Sequence, residues 1–388
     1  MDKIFKRTLL GAAVMSATVA AVPAQANDTD AKYEVYGVVA VQVHNRDYDN
    51  SPNLDGTQVN NETRIGFRGS KQFANFAPKF IWQVESGYVD PSYSGHEDKG
   101  GLGERDTFVG FEDFETFGQV RVGRVLTPIY ELVDWPGANP GLGDVWDWGG
   151  LIGGSKFQDR SSNTIRWDSP NWNGFSMDVA TGRTSAAATG SDEGWWHGAA
   201  GHYKVGPIQF DAAYEMNYDT RETFQDGQTT VKDPTLGSTS YQDFTREWDN
   251  NTYLLGLQGW FDNGISFFAQ YRWQEAEVTS GTDKGREEKQ EAMTSGLMYN
   301  IGDWQFKVGY AKNFDLEVNG QKISGTSDDV ISGQVMYFVD PAAVLYLRAR
   351  DVSFGDNTVD TGVGNNTTYS RWKSDSFSEI SVGVEYYF

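Results

Sequence analysis

The 388-residue chain contains no cysteine. That absence excludes disulfide staples, thiol nucleophiles and cysteine-based zinc clusters together. Beyond its first residues the chain also lacks any run near the ~20 apolar residues that a membrane-crossing helix needs, so helical spans are excluded. Histidine is scarce, with 4 in the chain. A hydrolase built on a serine–histidine pair needs a third, orienting group, and none of His44, His96, His197 and His202 stands in a nucleophile motif. The odd offset between His197 and His202 sends them to opposite faces of a strand. No catalytic activity is expected. Positive charge is in deficit, with Lys+Arg at 32 against Asp+Glu at 54 and a net charge of −22. Such a chain is no partner for nucleic acid, itself a polyanion. Its carboxylates favour cations nearby instead.

What the chain does have is 13 Trp, 19 Tyr, 23 Phe and 44 Gly, although only 38% of its residues are hydrophobic and its mean hydropathy is −0.54. Many aromatics and glycines on a polar background suit a sheet that turns one face to lipid and the other to water. The start reads as a secretory signal peptide over residues 1–26. It has a basic opening (Lys3, Lys6, Arg7), an apolar run from Thr8 to Val22, and the cleavage sequence Pro23-Ala-Gln-Ala26. Removing it takes Asp2, Lys3, Lys6 and Arg7 away and brings the net charge of residues 27–388 from −22 to −24.

From Lys32 onward, short segments alternate with period two, the pattern of half-buried strands. Ile208, Phe210, Ala212, Tyr214 and Met216 interleave with Gln209, Asp211, Ala213, Glu215 and Asn217. Ile265, Phe267, Ala269, Tyr271 and Trp273 interleave with Ser266, Phe268, Gln270, Arg272 and Gln274, and Trp304, Phe306, Val308 and Tyr310 with polar neighbours. About sixteen such strands fit between 32–44 and 377–388. Alternate connections are short, such as Val205-Gly206, Asp262-Asn263, Ile301-Gly302 and Asp340-Pro341. The others are long and polar, such as Asn45–Asn60, Tyr218–Asn250 and Gly355–Ser376. Short turns on one rim and long loops on the other predict an all-β, antiparallel, up-and-down transmembrane barrel. With about sixteen strands its interior is too wide for side chains to fill, leaving a water-filled bore. Ile380, Val382, Val384, Tyr386 and Phe388 share one face of the last strand, which is expected to close on the first near Tyr33–Gly37.

One connection differs from the rest. Residues 127–157 form a long loop that carries Glu131, Asp134, Asp144 and Asp147 among Trp135, Trp146 and Trp148. A long loop inside a regular β-protein usually has a function, and this one is expected to fold into the bore and narrow it. Asp47–Gly56 imitates the start of a calcium loop, but Pro52 stands where such a loop needs Gly and Gln58 where it needs Glu. No metal or cofactor is expected.

Val35-Tyr-Gly37, Thr63-Arg-Ile-Gly-Phe-Arg-Gly69, Phe108-Val-Gly110, Phe117-Gly-Gln-Val-Arg-Val-Gly-Arg124 and Tyr387-Phe388, in that order behind a signal peptide, resemble the general porins of Gram-negative bacteria. The resemblance implies a homotrimer of sixteen-stranded barrels in the outer membrane, set among lipid and lipopolysaccharide. It implies assembly by the barrel insertion machinery, with Tyr386 and Phe388 as the signal, and a third external loop folded inward. It also implies a lumen arginine cluster, which falls here on Arg64, Arg105 and Arg160 with Glu85 beside it. Arg348 and Arg350 alternate with Leu345, Leu347 and Ala349 and so join the lumen face, although Arg68, Arg166 and Arg348 read equally well as solvated strand residues. The loop departs from the family's usual tip, with Asp134-Trp-Pro-Gly137 and Asn139–Trp148 in its place, so which loop acids face the arginines stays open. Fixed charges around a wet bore set ion selectivity, which implies passive diffusion of ions and small hydrophilic solutes. The alternative is a saccharide-selective channel in which the loop tryptophans offer flat faces to sugar rings. An external adhesin is a third, weaker reading.

Overall fold

In a computed structural model the chain is described over residues 31–88, 101–137, 140–184, 194–232, 239–355, 358–360, 368–370 and 375–388. The signal peptide and His96 lie outside these residues. Sixteen antiparallel strands form the barrel wall. The first eight are β1 (Ala31–Tyr48), β2 (Arg64–Gln72), β3 (Lys79–Ser86), β4 (Leu102–Asp113), β5 (Gly118–Leu126), β6 (Arg160–Asp168), β7 (Phe175–Arg183) and β8 (Trp195–Val205). The second eight are β9 (Ile208–Lys232), β10 (Thr239–Trp260), β11 (Ile265–Gly281), β12 (Glu287–Ile301), β13 (Trp304–Asn313), β14 (Asp328–Asp340), β15 (Ala343–Ser353) and β16 (Phe377–Tyr387). Each pairs with the next, and β16 returns to β1 from Val38↔Tyr387 to Tyr48↔Phe377. Among the described residues no helix is long and apolar enough to cross a membrane.

The burial pattern is inverted relative to a water-soluble barrel. Ile331 and Ile380 are 60% and 61% exposed, while their neighbours Ser332 and Ser381 are 2% and 1% exposed. Apolar side chains therefore point outward and polar ones inward, the arrangement a hydrocarbon surround demands. The tight connection between β8 and β9 depends on Gly206 at φ 58°, a left-handed conformation that costs glycine nothing.

Two polar connections are more regular than alternation suggests. Tyr218–Asn250, expected as a loop, lies largely in β9 and β10, which continue as one hairpin past a register shift between Asn217 and Thr220. Gly56–Asn61 likewise pairs with β1, from Arg46↔Gly56 to Val41↔Asn61. Backbone pairing needs no alternating apolar face, so the ladder persists where the sequence gives no period-two mark.

Closure rests on the chain ends. Gly37 N–H donates to Phe388 O at 3.0 Å, and Phe388 N–H donates back to Gly37 O at 3.1 Å. A Cβ at Gly37 would stand 2.5 Å from Arg64 O and 2.8 Å from the Phe388 ring. Gly37→Val is expected to lower barrel stability by on the order of 1–3 kcal/mol, the usual range for overpacking. The folded band on unheated SDS gels should then melt at lower temperature, and an unchanged melting point would contradict this account of the seam.

Candidate functional site

The 127–157 loop opens with a capped helix. Thr127 Oγ1 accepts from Tyr130 N–H at 3.3 Å and Pro128 occupies the first turn of α1 (Pro128–Leu132). A wider turn around Pro136 and the short α2 (Gly143–Trp146) follow. From there the loop is held mainly through its own backbone. Gly150 N–H donates to Asp328 at 3.2 Å, Leu151 and Ile152 to Gln290 Oε1 at 2.7 and 3.1 Å, and Gly153 to Glu288 at 2.8 Å. Ser155 N–H donates to Asn250 Oδ1 at 3.1 Å and Gln158 N–H to Glu215 Oε1 at 2.6 Å. Loop carbonyls are met in the same way, Leu132 O by Gln270, Val145 O by Asn313, Trp146 O by Arg272 and Pro140 O by Ser332. Every one of these wall side chains belongs to the polar face of β9 to β14.

Between loop and wall lies the molecule's main apolar core. Ile129, Leu132, Val133, Leu142, Val145 and Trp146 pack against Ala200, Ala213, Leu254, Phe268 and Ala292. Phe268 and these alanines sit at positions that period-two alternation assigns to the polar face. They are apolar because the loop covers them. The buried Arg272 guanidinium lies 4.5 Å from the Trp146 ring and 4.9 Å from that of Phe157, a desolvated cation–π setting. Nearby, Tyr130 O–H donates to Asp147 at 2.9 Å, and Lys156 Nζ donates to Asp147 O and Gly149 O at 2.7 and 2.8 Å. Burial pushes the Asp147 carboxyl up and the Lys156 ammonium down, each toward its neutral form.

The arginines marked in the sequence form two groups. In the first, Arg105 Nε donates to Glu85 Oε1 at 2.7 Å, with Arg64 Nε 3.9 Å from the same oxygen and Tyr36 O–H on the other at 2.7 Å. Arg160 pairs with Asp106 of β4 at 2.8 Å. These carboxylates belong to the barrel wall and its strands, not to the loop. In the second, Arg348 and Arg350 converge with Arg46 on Glu379 of β16, at 3.0, 2.9 and 2.8 Å.

The loop acids divide among separate partners. Asp144 meets Arg350 at 2.7 Å, and Glu131 meets Arg166 at 2.8 Å. Arg166 also reaches Asp168 and Asp178. Asp147 is buried and Asp134 exposed. Trp146 is wholly buried, whereas Trp135 and Trp148 are 42% and 49% exposed. Tyr386 points outward and stacks on Phe388.

Arg46, Arg272, Asp106, Asp328, Glu288, Gln290, Lys156 and Glu379 were not singled out by sequence reasoning. Arg272 and Gln270 stand on the polar side of an alternating strand, which was visible, but nothing local says that a distant loop docks there. Among the described residues no group of three or more His, Cys, Asp or Glu is placed to hold a metal ion. Asp55 of the calcium-like stretch accepts from Tyr48 N–H at 2.8 Å and so serves its own turn.

Removing backbone acceptors should free the loop while leaving the barrel closed. Each lost buried hydrogen bond costs about 1 kcal/mol. In Glu288→Ala/Gln290→Ala the amides of Leu151 to Gly153 are expected to exchange with deuterium roughly tenfold faster or more, with strand amides unchanged. Equal exchange in variant and parent would show that the segment is held otherwise.

Comparison with known proteins agrees with this architecture. A family model described as Gram-negative porin matches residues 11–358. The chitoporin of Vibrio furnissii is 36% identical over 378 residues, covering 94% of this chain and 99% of that protein. The major outer membrane protein P.IA of Neisseria meningitidis serogroup C is 26% identical over 357 residues, covering 84% and 82%. Among solved structures, the anion-selective porin from Comamonas acidovorans superposes with a TM-score of 0.67 at 16% identity, covering 92% of this chain and all of that one. OmpT of Vibrio cholerae in its trimer form gives 0.66 at 15% identity, with 92% of this chain covered. With its inverted barrel and a family match running nearly its whole length, this chain belongs to the Gram-negative porins and is an outer-membrane β-barrel channel.

Proposed function

We propose that the 127–157 loop narrows a water-filled bore, and that fixed charges beside it set which ions and small hydrophilic solutes diffuse through. One observation supports this reading: the loop is spread over the polar face of β9 to β14, while Arg64, Arg105 and Arg160 stand on β2, β4 and β6 with 30%, 13% and 6% of their side chains open. The exposed edge of the loop presents Asp134, Trp135 and Trp148. A solute passing between that edge and the arginines meets both signs of charge, and fixed charges closer than the Debye length, ~8 Å at physiological salt, are little screened. No bond is made or broken. Glu85 and Asp106 temper the arginine potential, and Glu131 and Asp144 hold the loop to the wall.

A saccharide-selective channel is the second reading. It is favoured by the two half-exposed indoles on the loop, whose flat faces suit the apolar faces of sugar rings, and by the 36% identity to a chitoporin. The working unit in this proposal is a homotrimer, as in the trimer form of OmpT. It sits in lipid and lipopolysaccharide and is inserted by the barrel assembly machinery, with the Tyr386–Phe388 end as its signal.

In planar bilayers, Arg64→Gln/Arg105→Gln/Arg160→Gln should raise the cation-to-anion permeability ratio roughly twofold or more, since lining charge sets local ion concentration. An unmoved reversal potential would remove these arginines from the filter. Under the saccharide reading an oligosaccharide blocks the current at low concentration, and Trp135→Ala weakens the block. Equal block in parent and variant would leave the diffusion reading alone.

A further inference from the structure

The return limb of the 127–157 loop is held by wall side chains that each hold a second partner as well. Gln290 Oε1 accepts from Leu151 and Ile152 N–H, while its Nε2 donates to Phe314 O at 2.9 Å. Glu288 Oε2 accepts from Gly153 N–H, while its Oε1 accepts from Arg286 Nε at 2.7 Å. Asp328 Oδ2 accepts from Gly150 N–H, while its Oδ1 accepts from Gly355 N–H at 3.2 Å. The second partners all lie outside the loop. Arg286 belongs to the connection 282–286, Phe314 to 314–327 and Gly355 to 354–376. These connections leave the barrel at the rim opposite tight turns such as Val205-Gly206, which is the outer rim of an outer-membrane barrel.

Apolar packing repeats the pattern. Leu151 and Ile152 share a buried cluster with Trp248 of β10, Ala276 and Val278 of β11, and Leu316 of the 314–327 connection. Leu316 is wholly buried, and its backbone is fixed on both sides. Its N–H donates to Thr326 Oγ1 at 2.9 Å, and its O accepts from Ile323 N–H at 2.7 Å. The next residues, Glu317 and Val318, pair with Lys289 and Glu288 of β12. The segment carrying Leu316 is therefore a built part of the rim. Gln290, Glu288 and Asp328 are buried, and a buried polar group that loses one partner keeps an unsatisfied atom at real cost. Displacement of the outer partner is thus carried to the loop partner through a contiguous network.

We propose that Gln290, Glu288 and Asp328 are positioning residues that couple the 127–157 loop to the outer rim, so that the packing of the 282–286 and 314–327 connections fixes where the loop narrows the bore. The inference rests on the reading of that loop as the narrowing element.

The test breaks the outer contacts and leaves the loop's own hydrogen bonds in place, using the intact trimer. Arg286→Met removes the outer donor to Glu288, and Leu316→Ala opens the apolar cluster. In the double variant the amides of Leu151 to Gly153 should exchange with deuterium roughly tenfold faster or more, with the amides of the β16–β1 seam unchanged. Leu316→Ala alone should shift them in the same direction by less. In planar bilayers the double variant should visit partial conductance levels more often than the parent. Leu316→Met, which conserves volume, should behave as the parent, and so should Lys322→Ala at an exposed position of the same connection. Parent-like exchange at Leu151 to Gly153 in the double variant would overturn the coupling. So would equal loosening by Lys322→Ala, which would mark a general softening of the rim. Faster exchange with an unchanged current would separate the limb from the filter and overturn the positioning role. A folded protein that does not conduct refutes the pore instead, and the exchange result is read independently of it.

Discussion

A bilayer core offers no water to the peptide group, so every N–H and C=O within it must find a partner in the chain. That requirement shapes the whole molecule. It forces each strand to pair on both edges and the last strand to meet the first. The seam from Val38↔Tyr387 to Tyr48↔Phe377 is therefore as necessary as any other ladder in the wall. It also explains why Gly37 faces the terminal aromatic. The chain end must come close enough to bond at the backbone, and only a residue without a side chain lets the Phe388 ring lie there.

The same rule recurs inside the barrel. The 127–157 loop has little ladder of its own, yet much of its backbone is buried, so the polar side chains of the wall take the place of a neighbouring strand. Asp328, Gln290, Glu288, Asn250 and Glu215 each accept from loop amides, while Gln270, Arg272, Asn313 and Ser332 donate to loop carbonyls. Several weak bonds from independent strands hold such a segment more firmly than one ion pair would, because exposed ion pairs contribute little each. The apolar residues beneath it form the larger of two apolar cores among the described residues, the other joining Leu151 and Ile152 to Trp248 and Leu316.

Charge in the interior is arranged by neighbourhood, not by a single ring. Arg64 and Arg105 share Glu85, Arg160 takes Asp106, Arg166 binds Glu131, and Arg46, Arg348 and Arg350 surround Glu379. Each wall carboxylate lies one or two strands from its arginine, and Glu131 reaches Arg166 from the loop. Of the loop acids, Glu131 and Asp144 pair with wall arginines, Asp147 bonds within the loop and Asp134 is exposed.

The amino-acid sequence by itself determined the sheet. Period-two alternation, short turns against long loops and an aromatic last residue depend only on neighbours along the chain, and sixteen strands with apolar faces outward follow from them. Strand parity also put Arg64, Arg348 and Arg350 on the inward face, whereas Arg105 and Arg160 followed only from the resemblance to the general porins. Only the tertiary structure decided what those residues meet. Arg272 beneath Trp146, Phe268 on the polar face, Gln290 under Leu151 and Glu379 between Arg46 and Arg350 join residues up to a few hundred positions apart. Their pairing is set by the curvature of a closed wall and by where one long loop comes to rest, and neither is written in any local pattern.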